Sequence, residues 1–417
     1  MHIRRLAILL PLLASAAPIA AQQDPVGAGQ IVPVAPPPPA MRPADPGAAP
    51  LVSPITVSWP KRDAEDLLAY VQRVGEEGLD PADYAPDALR QAIDGGDAAR
   101  LDSVATQTFL KLSSDLALGH VRGDARIDWH IEDPDLNGNE QYAMMERAVQ
   151  QHSVHDTLNA LLPTHPQYQE LKSVLAGTTD AAKRDKIRVN MDRWRWLPRD
   201  LGRKYVIVNV PAYSVALVED GRVIARRRAV AGAVKTATPQ LNATISGAIF
   251  NPWWEVPASI NKEVAGKKGY VRVKVGENGF RYRQPPGPAN ALGKVKLVMP
   301  NPHAIYLHDT NAKGLFDKQM RAYSHGCIRT EDAIGFTGIL LEDASLWDTA
   351  KINETLASGK TVQANLAAPI PVYITYFTAA AVADKNEVIA YSDIYGRDKP
   401  VATALADRSG VTKLAAN

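Results

Sequence analysis

Cysteine is almost absent from this chain: Cys327 is the only one in 417 residues, so no disulfide can form within one molecule. Beyond the N-terminus no apolar run approaches the roughly 20 residues that a membrane-spanning helix needs. A dominant sign of charge is missing too. The net value is +2, which argues against the concentrated basic face of an electrostatic nucleic-acid binder. The one dense cationic run, Arg226-Arg227-Arg228, falls in a strand-like stretch and reads as a solvated edge. No CxxC or HxxxH pairing marks a zinc site. His303, His308, His325 and Cys327 are the nearest approach to a soft ligand set, and neither metal nor cofactor is expected.

What is present begins with "MHIRRLAILLPLLASAAPIAAQ". Arg4 and Arg5 give a positive start, Leu6 to Leu13 an apolar run broken by Pro11, and small residues lead to Ala21. Residues 1–21 therefore read as a cleavable signal peptide, with no other membrane segment expected. In the oxidising compartment this implies, an unpaired cysteine is either a buried inert residue or a reactive thiol.

Residues 22–55 include "IVPVAPPPPAMRPADPGAAPLVSP", a proline-rich stretch that reads as an extended linker. Residues 56–198 carry helical periodicity, with Leu67, Leu68 and Val71 on one face, then Leu101, Val104, Phe109, Leu112 and Leu116, then Leu158 and Leu161, then Tyr168, Leu171 and Val174. Near Arg199 the period changes. "KYVIVNV", "YSVALVE" and "RVIARRRAVAG" read as strands, the last two joined by a hairpin turn at Asp220-Gly221. Further strands are expected at "KVKLVM", "HAIYLH" and "PVYITYF". The fold class is thus α+β: a helical domain over 56–198, a β-rich domain over 199–400, and a flexible tail over 401–417. One helix interrupts the β-rich part just after Cys327, with Thr330 as its N-cap, which would set the cysteine ahead of a positive helix end.

The stretch "AYSHGCIRTED" (322–332) surrounds the thiol with polar and turn-forming residues, poor company for an inert buried cysteine. A cysteine becomes nucleophilic when ionised, so it needs a base, and His325 and His308 are the candidates. If Ile305 and Leu307 face a core, alternation turns Tyr306 and His308 the other way. Gly326 allows a tight turn whose N–H groups can line an oxyanion pocket.

"HDT" (308–310) followed by "SHGCIR" (324–329) resembles the signature of the L,D-transpeptidase catalytic domain, YkuD-type. "LLPTHPQYQELK", "IRVNMDRWRWLPRDLG", "FNPWWEVPASI" and "PNPHAIYLHDT" resemble its YcbB-like branch, with the N-terminal helical scaffold domain. The resemblance implies Cys327 as acylated nucleophile, His308 as base, and His325 and Gly326 as the nucleophile loop, with the Cys327 N–H in the oxyanion hole. It implies that Arg329 holds the loop or a substrate carboxylate, and sets Ser324, Asp309, Tyr306, Trp253 and Trp254 on the substrate side; Trp253, Trp254 and Tyr306 could equally be core aromatics. Trp194 and Trp196 are expected to pack the helical domain against the β-rich one.

The implied reaction is peptidoglycan crosslinking in the periplasm, serving cell-wall organisation and cell shape. The third residue of a tetrapeptide stem, diaminopimelate, is acylated onto the thiol with loss of D-alanine and passed to another stem, and carbapenems would acylate the same thiol. Water as acceptor (L,D-carboxypeptidase), a protein acceptor, and a non-catalytic wall scaffold are the alternatives. Relatives on this branch commonly carry an inserted peptidoglycan-binding module where this chain has only "SVLAGTTDAAKRDKI", and a longer lid after "VPASI".

Overall fold

A computed structural model describes residues 57–132, 135–276, 279–342, 346–383 and 385–407. The signal peptide and linker expected at 1–21 and 22–55 lie outside them. The described residues belong to one compact unit. Its first part is helical: α1 (Lys61–Arg73), α2 (Pro86–Asp94), α3 (Ala98–Leu118), α4 (Gly138–Gln150), α5 (Val154–Asn159), α6 (Pro166–Gly177) and α7 (Ala181–Trp194). Their starts are chemically marked. Proline opens α2 and α6, Asp97 caps α3, and Asn137 with Glu140 forms a capping box on α4. The apolar faces expected from periodicity are buried together, Leu67 and Val71 against Phe109, Leu112, Leu116, Tyr168 and Leu171. A two-residue strand, β1 (Trp129–His130), leaves this part to pair in parallel with the sheet beyond.

The second part runs β2 (Lys204–Asn209), β3 (Ser214–Glu219), β4 (Arg222–Gly232), β5 (Gln240–Phe250), β6 (Trp254–Glu255), α8 (Asn261–Val264), β7 (Val271–Val275), β8 (Gly279–Gln284), β9 (Val295–Val298), β10 (Leu307–His308), β11 (Ala322–Ser324), β12 (Ile328–Thr330), α9 (Ala333–Leu341), α10 (Thr349–Ala357), β13 (Val362–Thr375), β14 (Ala379–Val382), β15 (Glu387–Ala390) and α11 (Asp398–Ala406). At the β3–β4 hairpin, Asp220 (φ +49°) and Gly221 (φ +73°) are both left-handed, as a primed turn demands. The order β5-β13-β2-β3-β4-β12-β10-β9 closes on itself because β9 also pairs with β5. A closed sheet leaves few open edges. Pro369 sits where β13 slips register between Asn365 and Ile370, a bulge that accommodates the missing donor.

Alternation along these strands splits two cores. Val206, Val208, Val215, Leu217, Leu307 and Ile328 fill the interior with Phe336 of α9. Tyr205, Val218 and Tyr373 face outward and join the helical cluster. Trp194 stacks on Phe377 at 4.3 Å, with His165 stacked on its other side at 4.1 Å. The Asn190 side chain donates to Thr378 Oγ1 (3.0 Å) and accepts from the Thr378 N–H (2.8 Å).

Three expectations are corrected. Trp196 does not join that seam: it meets Trp129 edge-on and packs with Val401 and Leu405 of α11. The tail expected to be flexible from 401 is helical through Ala406, where Val401 and Leu405, one helical turn apart, bury against Trp196 and Val189, and its residues 408–417 lie outside the described residues. The helix after the cysteine is capped by Asp332, whose carboxylate accepts from the Gly335 N–H (3.1 Å), and not by Thr330. Thr330 ends β12, so a strand separates Cys327 from the helix.

Strands β6, β8 and β7 form a separate three-stranded sheet in that order. It has a small core of Val256, Ile260 and Val264, with Trp254, Tyr270 and Tyr282 packed against it.

Candidate active site

Register assembles the site. In the ladder, His308 of β10 stands opposite Lys296 of β9 on one side and Arg329 of β12 on the other. Directly opposed residues share a face, so Lys296, His308 and Arg329 form a cross-strand row. By period-two alternation Tyr306 and Cys327 fall on the same face, two residues before His308 and Arg329. The alternate residues Val295, Leu297, Ile305, Leu307 and Ile328 go to the interior. Thiol, imidazole, phenol and two cations are thus gathered on the face opposite the core.

His308 is buried, and its Nδ1–H donates to the Asp309 carbonyl at 2.5 Å. That carbonyl can only accept, so the proton sits on Nδ1 and Nε2 keeps its lone pair. Burial first, and the Arg329 cation second, pull its pKa down to about 3. Cys327 is partly buried, and its Sγ–H points at the Ala304 carbonyl (3.7 Å). Burial pushes this thiol up, against the pull of hydrogen bonds with Tyr306 and the charges of Lys296 and Arg329. Thiol and imidazole therefore rest as a neutral pair. Among the described residues nothing accepts from the Cys327 N–H.

The nucleophile loop is tied internally. Gly326 has φ +111°, and a Cβ there would meet Ile305 Cδ1 at 3.1 Å. Thr238 Oγ1 donates to the Gly326 carbonyl (2.8 Å) and accepts from the Gly232 N–H (2.9 Å). Ser324 is buried and donates to the Cys327 carbonyl at 2.5 Å while accepting from the Gly326 N–H. This corrects its expected substrate contact: the hydroxyl is used to shape the loop. Asp309 is corrected likewise, since its buried carboxylate accepts from the Lys294 N–H (2.8 Å) and pairs with Lys313.

His325 is half-exposed and reaches Glu263 of α8 at 3.3 Å, touching the small sheet. Burial holds the Tyr306 phenol well above its ordinary pKa, against the pull of Trp254. Trp253 stands apart at the surface under the Arg283 guanidinium (4.6 Å). Lys296 escaped the sequence reading. The signal was there in "KVKLVM", where Lys296 alternates with the core-facing Val295 and Leu297.

Both parts of the chain are similar to known protein families. Residues 203–346 match the L,D-transpeptidase catalytic domain family, YkuD, and residues 56–175 match the Scaffold domain family. A Haemophilus influenzae protein named provisionally as an L,D-transpeptidase is 29% identical over 288 residues, 62% of this chain. The chain spans 58% of that relative's length. Among solved structures, an L,D-transpeptidase from Mycobacterium smegmatis matches 42% of this chain and 58% of its own at 11% identity and a TM-score of 0.23. A cysteine-to-serine mutant of the Enterococcus faecium L,D-transpeptidase matches 43% of this chain and 52% of its own at 14% identity and a TM-score of 0.23. Residues 203–346, which match that catalytic-domain family, hold every residue of the row around Cys327, and the stretch that matches the Scaffold family precedes them.

Proposed function

We propose that the protein is a periplasmic peptidoglycan L,D-transpeptidase working through a thioester on Cys327. The observation that carries the reading is the shared face of Cys327 and a neutral His308 whose Nε2 lone pair is free, within the matched catalytic domain. In this mechanism His308 Nε2 takes the thiol proton as sulfur attacks the carbonyl of the third stem residue, diaminopimelate. The oxyanion is received by the Cys327 N–H. Collapse breaks the carbon–nitrogen bond, His308 returns its proton to the departing amine, and D-alanine leaves. A side-chain amine of another stem then gives its proton to His308, attacks the thioester and restores the thiol, leaving a crosslink between third residues.

The neutral resting pair makes ionisation uphill, so proton transfer accompanies attack. Tyr306 and Trp254 suit the walls for an extended stem. Among the described residues no helix is long and apolar enough to cross a membrane; export rests on the N-terminal reading.

The test is mass analysis of products from purified disaccharide-tetrapeptide. Dimers lighter by one D-alanine are expected, and are expected to vanish with Cys327→Ala. Tripeptide monomer alone would make water the acceptor. Unchanged substrate, together with no carbapenem adduct on the folded protein, would refute the enzyme reading.

A further inference from the structure

Lys296 and Arg329 flank His308 on strands about 4.8 Å to either side. Both are partly buried, and among the described residues neither pairs with a carboxylate. The acid whose charge Lys296 feels, Glu255, is taken by Arg283 (2.6 Å) and Arg281 (3.4 Å). Arg329 Nε is buried without a hydrogen-bond partner. Lys296 is steadied from below by the Tyr306 ring, 4.6 Å from its Nζ. Two uncompensated cations against a nucleophile are costly unless an anion joins them.

We propose that Lys296 and Arg329 form a carboxylate-binding subsite astride His308 that holds the α-carboxylate of the departing D-amino acid of the donor stem. The placement follows from the reaction, and so rests on the transpeptidase reading. His308 hands a proton to the leaving nitrogen, and the carboxylate carbon lies about 2.5 Å from that nitrogen along the chain. A carboxylate held there is within reach of the cations on either side of the imidazole. It is also the group that distinguishes a terminal D-amino acid from an internal peptide bond, so the subsite selects stems that end at the fourth residue.

The first experiment is independent of transpeptidation. Alkylation of Cys327 by anionic iodoacetate and by neutral iodoacetamide is timed in the wild type, Lys296→Met and Lys296→Arg. The neutral reagent reports thiolate supply and folding; the ratio of the two rates reports the anion site. Charge-assisted hydrogen bonds at this strength give a ~10-fold fall in the ratio in Lys296→Met, with Lys296→Arg retaining most of it. An unchanged ratio overturns the subsite, and equal losses with both reagents would reduce Lys296 to a thiolate stabiliser.

The second experiment compares kcat/KM for a tetrapeptide stem with a free C-terminal carboxylate and for its C-terminal amide. The wild type is expected to favour the carboxylate ~10- to 100-fold, and Lys296→Met to lose most of that preference. Equal rates for the two donors in the wild type overturn the assignment to the leaving carboxylate. If neither donor reacts while the iodoacetate ratio behaves as expected, the anion site stands and the transpeptidase reading falls.

Discussion

Replacing His308 with glutamine isolates the energetic consequence of burying a base between two cations. The imidazole pKa is down to about 3 in the folded protein, against about 6.5 in an unfolded chain. A depressed folded value means the unfolded state binds the extra proton, so stability is complete above pH 6.5 and is lost as pH falls from there toward 3. The slope is about 1.4 kcal/mol per pH unit inside that window. Between pH 7 and pH 5 this one group therefore costs the wild type about 2 kcal/mol, a loss that glutamine, which does not titrate, escapes. Urea unfolding of the wild type and His308→Gln at both pH values gives the double difference free of other titrating groups. A double difference near zero would mean that His308 is solvated and protonates normally. The account of a base that rests neutral would then be wrong.

Gly326→Ala is expected to cost ~1–3 kcal/mol, since φ +111° strains any residue with a Cβ and Ile305 must give way; chemical denaturation measures it, and iodoacetamide kinetics should show a displaced thiol. Thr238→Val strands the buried Gly232 N–H and the Gly326 carbonyl and should lose ~1–3 kcal/mol in the same assay. Trp194→Ala removes the side chain between His165 and Phe377 and should destabilise the protein by ~3–5 kcal/mol, read as a lowered thermal midpoint. Cys327 alkylation by iodoacetamide should rise tenfold per pH unit and level off only above the ordinary thiol value near ~8.5, because burial raises the thiol; a plateau reaching down to pH 5 would indicate a thiolate–imidazolium pair instead.

The shared face of Cys327 and His308 was legible from a lone thiol in polar company and a histidine out of phase with Ile305 and Leu307. Other features were hidden for physical reasons. Ser324 and Asp309 are polar residues beside a nucleophile, and sequence cannot say whether such a hydroxyl or carboxylate turns toward substrate or into its own loop. Thr330 and Asp332 are both good caps, and only the pairing of β12 with β4 and β10 decides between them. The strand expected over "HAIYLH" shrinks to Leu307–His308 because Ala304 adopts φ +52° and the Asn301 amide spans the Met299 and Ile305 carbonyls. The flanking Pro300 and Pro302 were the available warning. The alternation in "KVKLVM" turns Lys296 away from the core, but only register sets it beside His308.

The same burial that makes the thiol a reluctant acid bears on how an unpaired cysteine survives wherever thiols are open to oxidation. Thiolates, not thiols, are oxidised and exchanged with disulfides. A cysteine activated in advance by an imidazolium would be ionised continuously and exposed to that chemistry between turnovers. Here His308 is too deeply buried, and too close to Arg329, to hold a proton at rest, so Cys327 keeps its own. The two cations then act in opposite senses on the two partners: they discourage protonation of His308 and favour negative charge on sulfur. A substrate carboxylate seated on the cations would offset the first effect, easing the imidazole's protonation as the thiol is consumed. On that reasoning activation is coupled to occupancy of the cleft, and the lone thiol stays protonated until a substrate carboxylate is seated there.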